Sequence, residues 1–236
     1  MRERLEDYQK ALVGKPPEAI LHWALLEFGA ERLGLASSFG AEDQLLTHWL
    51  VSLEPKARIF TLDTGRQFEE TYDCFQRSKD KWGIEYEVYL PDGEALAQLL
   101  SEKGPCSFYQ SVENRKECCY IRKVQPLTTA LNELNIWVTG QRKDQAVTRG
   151  NLNEIEWDQV HQIFKLNPLC NWGEVMVWEQ IKTHKIPYNK LHDQGFPSIG
   201  CQPCTRKVAP GDDIRSGRWW WESPEHKECG LHNRPK

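Results

Sequence analysis

The 236-residue sequence contains no apolar run that approaches the length of a membrane span. Its first residues, Met1-Arg2-Glu3-Arg4-Leu5-Glu6-Asp7, lack the apolar core of a signal peptide. A cytoplasmic protein with no membrane partner is therefore expected. A basic excess is missing too. Lys and Arg number 30 against 34 Asp and Glu, a net charge of -4. Bulk nucleic-acid binding needs a basic surface to neutralise phosphates, so no nucleic-acid partner is expected. A local basic pocket for a small anion is not excluded by that balance. There is no internal repeat, no low-complexity linker and no G-x-x-x-x-G-K-[ST] phosphate loop.

What is present suits one generous domain with a substantial core: 39% apolar and 27% charged residues. Eight cysteines in a reducing compartment point to metal binding or catalysis rather than disulfides. Four of them fall in two short segments, Glu117-Cys118-Cys119-Tyr120 and Cys201-Gln202-Pro203-Cys204. Converging thiolates suit a zinc ion or an iron–sulfur cluster, and spacing does not choose between them. Lys123, one helical turn after Cys119, could oppose their charge. Cys74, Cys106 and Cys170 have no partner at ligand spacing and read as buried thiols. Cys229 differs from all of these. It sits near the end of the chain, in Lys227-Glu228-Cys229-Gly230-Leu231-His232, where cations favour a thiolate nucleophile. With no second cysteine close by, an external thiol would have to resolve its covalent intermediate.

Along the chain, a helix over 16–29 precedes a strand that opens into Ser37-Ser38-Phe39-Gly40. Helical spacing resumes through Leu45, Leu46, Trp49, Leu50 and Leu53. A strand over 57–62 ends in Asp63-Thr64-Gly65-Arg66-Gln67, and Phe68, Tyr72 and Phe75 mark the next helix. A strand over 84–90 and a short helix over 94–102 follow. Residues 112–134 read as helical with a break at Pro126. A strand over 136–139 leads into a loop, 140–149, with three basic residues. Short strands over 155–169 precede a helix over 173–184 with Val175, Val177, Trp178 and Ile181 inward. This rhythm is α/β, a mostly parallel sheet with helices on both faces. Ligands sit at the carboxyl ends of such strands, where the polar loops lie.

Seven segments in register resemble the assimilatory adenylyl-sulfate (APS) reductases of bacteria, the iron–sulfur type of the PAPS/APS reductase family. They are Ser37-Ser38-Phe39-Gly40-Ala41-Glu42-Asp43, Leu62-Asp63-Thr64-Gly65-Arg66, Cys118-Cys119 with Arg122-Lys123, and Gly140-Gln141-Arg142. The others are Gly200-Cys201 with Cys204-Thr205-Arg206, Gly217-Arg218-Trp219-Trp220-Trp221-Glu222 and Lys227 to His232. The resemblance implies an adenine-nucleotide α-hydrolase-like fold, related to the PP-loop pyrophosphatases. It implies a [4Fe-4S] cluster on Cys118, Cys119, Cys201 and Cys204. The related phosphoadenylyl-sulfate (PAPS) reductases usually lack those cysteines.

The implied reaction is thioredoxin-dependent reduction of adenosine 5'-phosphosulfate to sulfite and AMP in sulfate assimilation. Cys229 would carry an S-sulfocysteine intermediate. Positions matching Lys123, Arg149, Arg215 and Arg218 would line the anionic end of the substrate, those matching Ser37, Ser38, Leu62 and Gly140 the nucleotide, and Arg142 would also be substrate-binding. Relatives often form homo-oligomers. The implied division is a nucleotide- and cluster-binding domain over 1–209 and a mobile catalytic tail over 210–236. Two departures stand out. The 145–149 loop is a residue shorter than in many relatives, and Arg115 stands where some have histidine. The competing readings are a PAPS or dual-specificity reductase, and a non-catalytic zinc-stabilised nucleotide-binding module.

Overall fold

The structure, a computed structural model, describes residues 2–145, 149–223 and 230–231. Its centre is a six-stranded sheet in the order β3-β2-β1-β4-β6-β5. The strands are β1 (Leu33–Ala36), β2 (Arg58–Leu62), β3 (Glu87–Tyr89), β4 (Ile136–Val138), β5 (Ile155–Asp158) and β6 (Ile163–Leu166). All pairings are parallel except β5 with β6, which closes one edge antiparallel.

Alternation along the strands builds two apolar layers. Leu33, Leu35, Ile59, Ile136, Val138, Phe164 and Leu166 point to one face. There they meet α1 (Leu5–Leu12), α2 (Pro17–Phe28), α3 (Ala41–Leu53) and α8 (Glu174–Thr183). Phe60, Trp137 and Ile163 point to the other face and meet Leu127, Ala130 and Leu131 of α7 (Gln125–Leu131). Each fully buried Leu, Ile or Phe contributes roughly 1.5–3 kcal/mol, so both layers hold the sheet. Helices α4 (Glu69–Trp82), α5 (Gly93–Lys103) and α6 (Val112–Cys119) complete the chain. The Asp92 carboxylate caps α5 and the Ser111 hydroxyl caps α6, each accepting from a backbone N–H three residues on.

The break expected at Pro126 takes a particular form. Between α6 and α7 the backbone runs as a π-helix over Tyr120–Val124. A proline ring clashes with the carbonyl four residues earlier in an α-helix, and the wider π turn relieves that clash. The consequence is local: Lys123 is carried on an irregular turn.

Several expectations shift. The strand expected over 84–90 narrows to β3 at the sheet edge. Helix α1 falls in a stretch with no sequence expectation, and its Tyr8 and Leu12 are buried. Val175 is not inward. It is 71% exposed, while α8 buries Val177 and Ile181. Residues two positions apart on a helix lie about 200° apart around its axis, so Val175 and Val177 cannot share a face. Cys106 is exposed, unlike Cys74 and Cys170, because Gly104 and Pro105 carry the chain to the surface after α5. Among the described residues, no helix is long and apolar enough to cross a membrane.

Candidate active site

Strand order reverses at β1, whose neighbours are β2 on one side and β4 on the other. Loops leaving adjacent strands diverge at such a point and leave a crevice. A cleft of about 260 Å³ lies there, lined by Ser37, Ser38 and Gly40 after β1, Leu62 and Gln67 after β2, and Gly140 to Arg142 after β4. The first turn of α3 borders it, a position where a helix dipole favours an anion.

The two principal loops are stitched together by one buried carboxylate. Asp43 accepts from the Ser38 backbone N–H and from the Ser38 hydroxyl, both at 2.7 Å. The Gly140 N–H contributes from the other loop. Burial pushes the Asp43 carboxyl up to about 6, against the lowering effect of those donors. Residue 140 has to be glycine here. A Cβ would collide with the Asp43 carboxylate and stand 2.8 Å from the Glu42 Cβ.

Cations gather around the cleft. Lys123, Arg142, Arg149, Arg215 and Arg218 all line it, together with Ser37, Ser38, Leu62 and Gly140. The structure thus brings together all nine residues expected at the substrate. Their engagement differs. Arg142 is only 3% exposed, and its Nε donates to Glu42 at 2.8 Å while Nη1 donates to the Trp172 carbonyl at 3.3 Å. Gln145 also donates to Glu42, and Arg149 donates to Gln145. Arg218 donates to the Ile199 carbonyl at 3.2 Å and lies against Gly200, where a Cβ would come 2.5 Å from Cζ. Buried, fixed cations of this kind stabilise charge on a bound anion without reorganising.

The four paired cysteines also converge. Cys118 and Cys119 end α6, and Cys201 precedes a single 3-10 turn that ends on Cys204. All four line one small cavity with Phe108, Arg66, Arg115, Arg122 and Lys123. Cys201 Sγ lies 3.3 Å from the Thr64 hydroxyl. Burial works against its thiolate, but the Lys123 ammonium, the Thr64 hydroxyl and the Arg218 and Arg122 guanidiniums together hold it below the usual thiol range. Burial raises Cys118, and burial with the neighbouring Cys201 and Cys119 pushes Cys204 up to about 12. Four thiols crowded together cannot all ionise unless a metal supplies positive charge, and a thiolate-held cluster supplies it. Four cysteines lining one cavity are a donor set that fits a thiolate-held metal centre, a zinc ion or an iron–sulfur group.

Lys123 lines both the cysteine cavity and the cleft. Cys229 lies outside the described residues. Leu231, two positions further on, lines the cleft and packs on the layer of Phe60, Leu127 and Trp137. The sequence reading missed the roles of Asp43 and Leu231, although both stand inside segments it singled out. It also gave no role to His192, which lines the same cleft.

A doubly wound, mostly parallel sheet with this crevice is the adenine-nucleotide α-hydrolase-like architecture of the PP-loop proteins. The Candida glabrata FMN adenylyltransferase structure shares the fold at 14% identity, with a TM-score of 0.57 over 94% of this chain and 75% of that one. Residues 32–207 match the family model described as phosphoadenosine phosphosulfate reductase domain, and the chain belongs to that family. It is 49% identical over 202 residues to an adenosine 5'-phosphosulfate reductase of Burkholderia cepacia, covering 86% of this chain and 81% of the relative. It is 41% identical over 239 residues to a chloroplastic 5'-adenylylsulfate reductase of Arabidopsis thaliana, covering 98% of this chain and 51% of the relative. A Candida auris phosphoadenylyl-sulfate reductase structure, a phosphate complex, aligns with a TM-score of 0.75 at 28% identity, over 88% of this chain and 98% of that one.

Proposed function

We propose that this protein reduces adenosine 5'-phosphosulfate to sulfite and AMP in sulfate assimilation, through an S-sulfocysteine on Cys229. The observation that carries the reading is the sharing of Lys123 between a four-cysteine cavity and a cationic cleft at the strand ends. The names of the relatives support APS as the substrate.

The Cys229 thiolate attacks the sulfate sulfur, and the bond from that sulfur to the bridging oxygen breaks. AMP leaves with the electron pair, and the sulfo group stays on Cys229. A dithiol of the thioredoxin class then attacks the Cys229 sulfur. Sulfite leaves, a mixed disulfide forms, and the second thiol of the donor displaces the Cys229 thiolate. Sulfur gains two electrons and the dithiol loses two. Attack on a sulfuryl group crowds anionic oxygens, and Lys123, Arg149, Arg215 and Arg218 are placed to offset that charge. Ser37, Ser38, Leu62 and Gly140 hold the nucleotide, and Arg142 holds the cleft wall through Glu42.

A [4Fe-4S] cluster on Cys118, Cys119, Cys201 and Cys204 would supply fixed charge and rigidity beside Lys123. The segment 210–236 acts as the catalytic tail. The same reading assigns the protein to the cytoplasm, where dithiol donors are kept reduced, as a homo-oligomer.

The test is turnover by anaerobically purified protein with thioredoxin, comparing APS with PAPS, alongside iron and sulfide analysis. Sulfite from APS by an iron- and sulfide-containing protein is expected. A strong preference for PAPS would overturn the substrate, and one zinc per chain without iron would overturn the cofactor.

A further inference from the structure

One buried cation of the cysteine cavity has no part in the reaction above. Arg115, on α6, is 0% exposed and Glu222 is 3% exposed. They form a two-pronged ion pair: Nε donates to one carboxylate oxygen at 2.9 Å and Nη2 to the other at 2.6 Å. Arg115 also bonds the Cys119 thiol. Its guanidinium lies over the Trp219 ring at 4.9 Å.

Trp219 is the pivot. It is buried, has a left-handed φ of 39°, and donates its backbone N–H to the Cys204 carbonyl. The turn it starts closes with the Glu222 N–H donating to the Trp219 carbonyl at 2.8 Å. A tryptophan holds that backbone only where its surroundings impose it. Arg218, the residue before it, lies over the same ring at 4.7 Å and lines the cleft. Both guanidiniums therefore pack on the one ring, so displacing the ring displaces the surface each rests on. The contacts run without a gap from Cys119 to Arg115, to Trp219, to Arg218.

We propose that Arg115 is a positioning residue for Arg218. Through the Trp219 ring and the Glu222 turn, it sets where the Arg218 guanidinium meets the anionic end of the substrate, so that the four-cysteine site and the cleft are mechanically joined. This rests on the reading of the cleft as the APS site. A shift of about 1 Å in such a cation is enough to weaken a fixed contact severely.

The experiment is a double-mutant cycle on the cluster-loaded protein with R115M, R218M and the double variant. Calorimetry gives the dissociation constants of APS, AMP and adenosine. R115M is expected to weaken APS and AMP about tenfold, equivalent to about 1.4 kcal/mol. Adenosine, which lacks the anion, is expected to bind unchanged. The double variant is expected to bind APS no worse than R218M. If the single losses multiply in the double variant, or if adenosine weakens as much as APS, the proposal is wrong. Should R115M fail to fold, E222Q takes its place in the same cycle, with the same expected and contrary results. Wild-type protein that turns over APS but gives an additive cycle defeats this inference alone. Wild-type protein that neither binds nor reduces APS defeats the functional reading beneath it.

Discussion

The Ser38 hydroxyl and the Ser38 backbone N–H both donate to one oxygen of Asp43, each at 2.7 Å. That oxygen belongs to a carboxyl whose burial raises it from 3.8 to about 6. The folded value lies above the unfolded one, so folding favours the neutral form. The ionised form costs stability on the order of 3 kcal/mol above pH 6, and that cost fades as pH falls towards 4. D43N removes it. The melting temperature of D43N relative to wild type is therefore expected to be highest and level above about pH 6, and to fall between pH 6 and pH 4. A difference that is flat with pH would contradict the assignment. AMP affinity of wild type is expected to drop below pH 6, where the neutral carboxyl is a weaker acceptor for the two Ser38 donors.

Arg142 and Glu42 make the second prediction. Arg142 is almost fully buried and spends its Nε on Glu42. Removing one partner of a buried ion pair leaves the other uncompensated, at a cost of about 3–5 kcal/mol when both are fully buried. Glu42 keeps some exposure, so R142M is expected to fall at or below the lower end of that range. Arg149 is half-buried and R149M is expected to lower substrate affinity with little change in melting temperature. Equal thermal losses in the two variants would place Arg142 and Arg149 in the same role, contrary to the structure.

Thr64 tests the cysteine cavity without touching a ligand. Its hydroxyl lies 3.3 Å from Cys201 Sγ. T64V keeps the shape and removes this contact together with the bond the hydroxyl accepts from the Arg66 N–H, each at a net cost of about 1 kcal/mol. The expected result is faster loss of iron to a chelator at unchanged fold, read by absorbance and circular dichroism. Unchanged iron retention would mean that the hydroxyl does not support the thiolate.

Much of this arrangement was legible in local pattern. The alternation of strand and helix placed three polar loops at the strand ends, and the cleft formed there. Cys118 with Cys119 and Cys201 with Cys204 were readable as two tight pairs, and only the resemblance joined them into one ligand set. Pairings between distant residues were not readable. Arg115 meets Glu222 across 107 positions and Arg142 meets Glu42 across 100. Periodicity reports which face a residue occupies, not which partner waits there. Phase errors had a similar origin. Val175 lies one side of the stripe that Val177 and Ile181 define, and a valine carries no mark of its own orientation. The π turn around Lys123 follows from Pro126, yet the proline announced only that the helix would be disturbed.

The most direct measurement is mass spectrometry of the C-terminal peptide after one turnover with APS and no reductant, in wild type and in C229S. Wild type should carry one sulfo group on Cys229, released as sulfite when reduced thioredoxin is added, and C229S should bind APS yet carry none. A sulfo adduct that persists in C229S, or AMP formation with no adduct in wild type, would contradict the account.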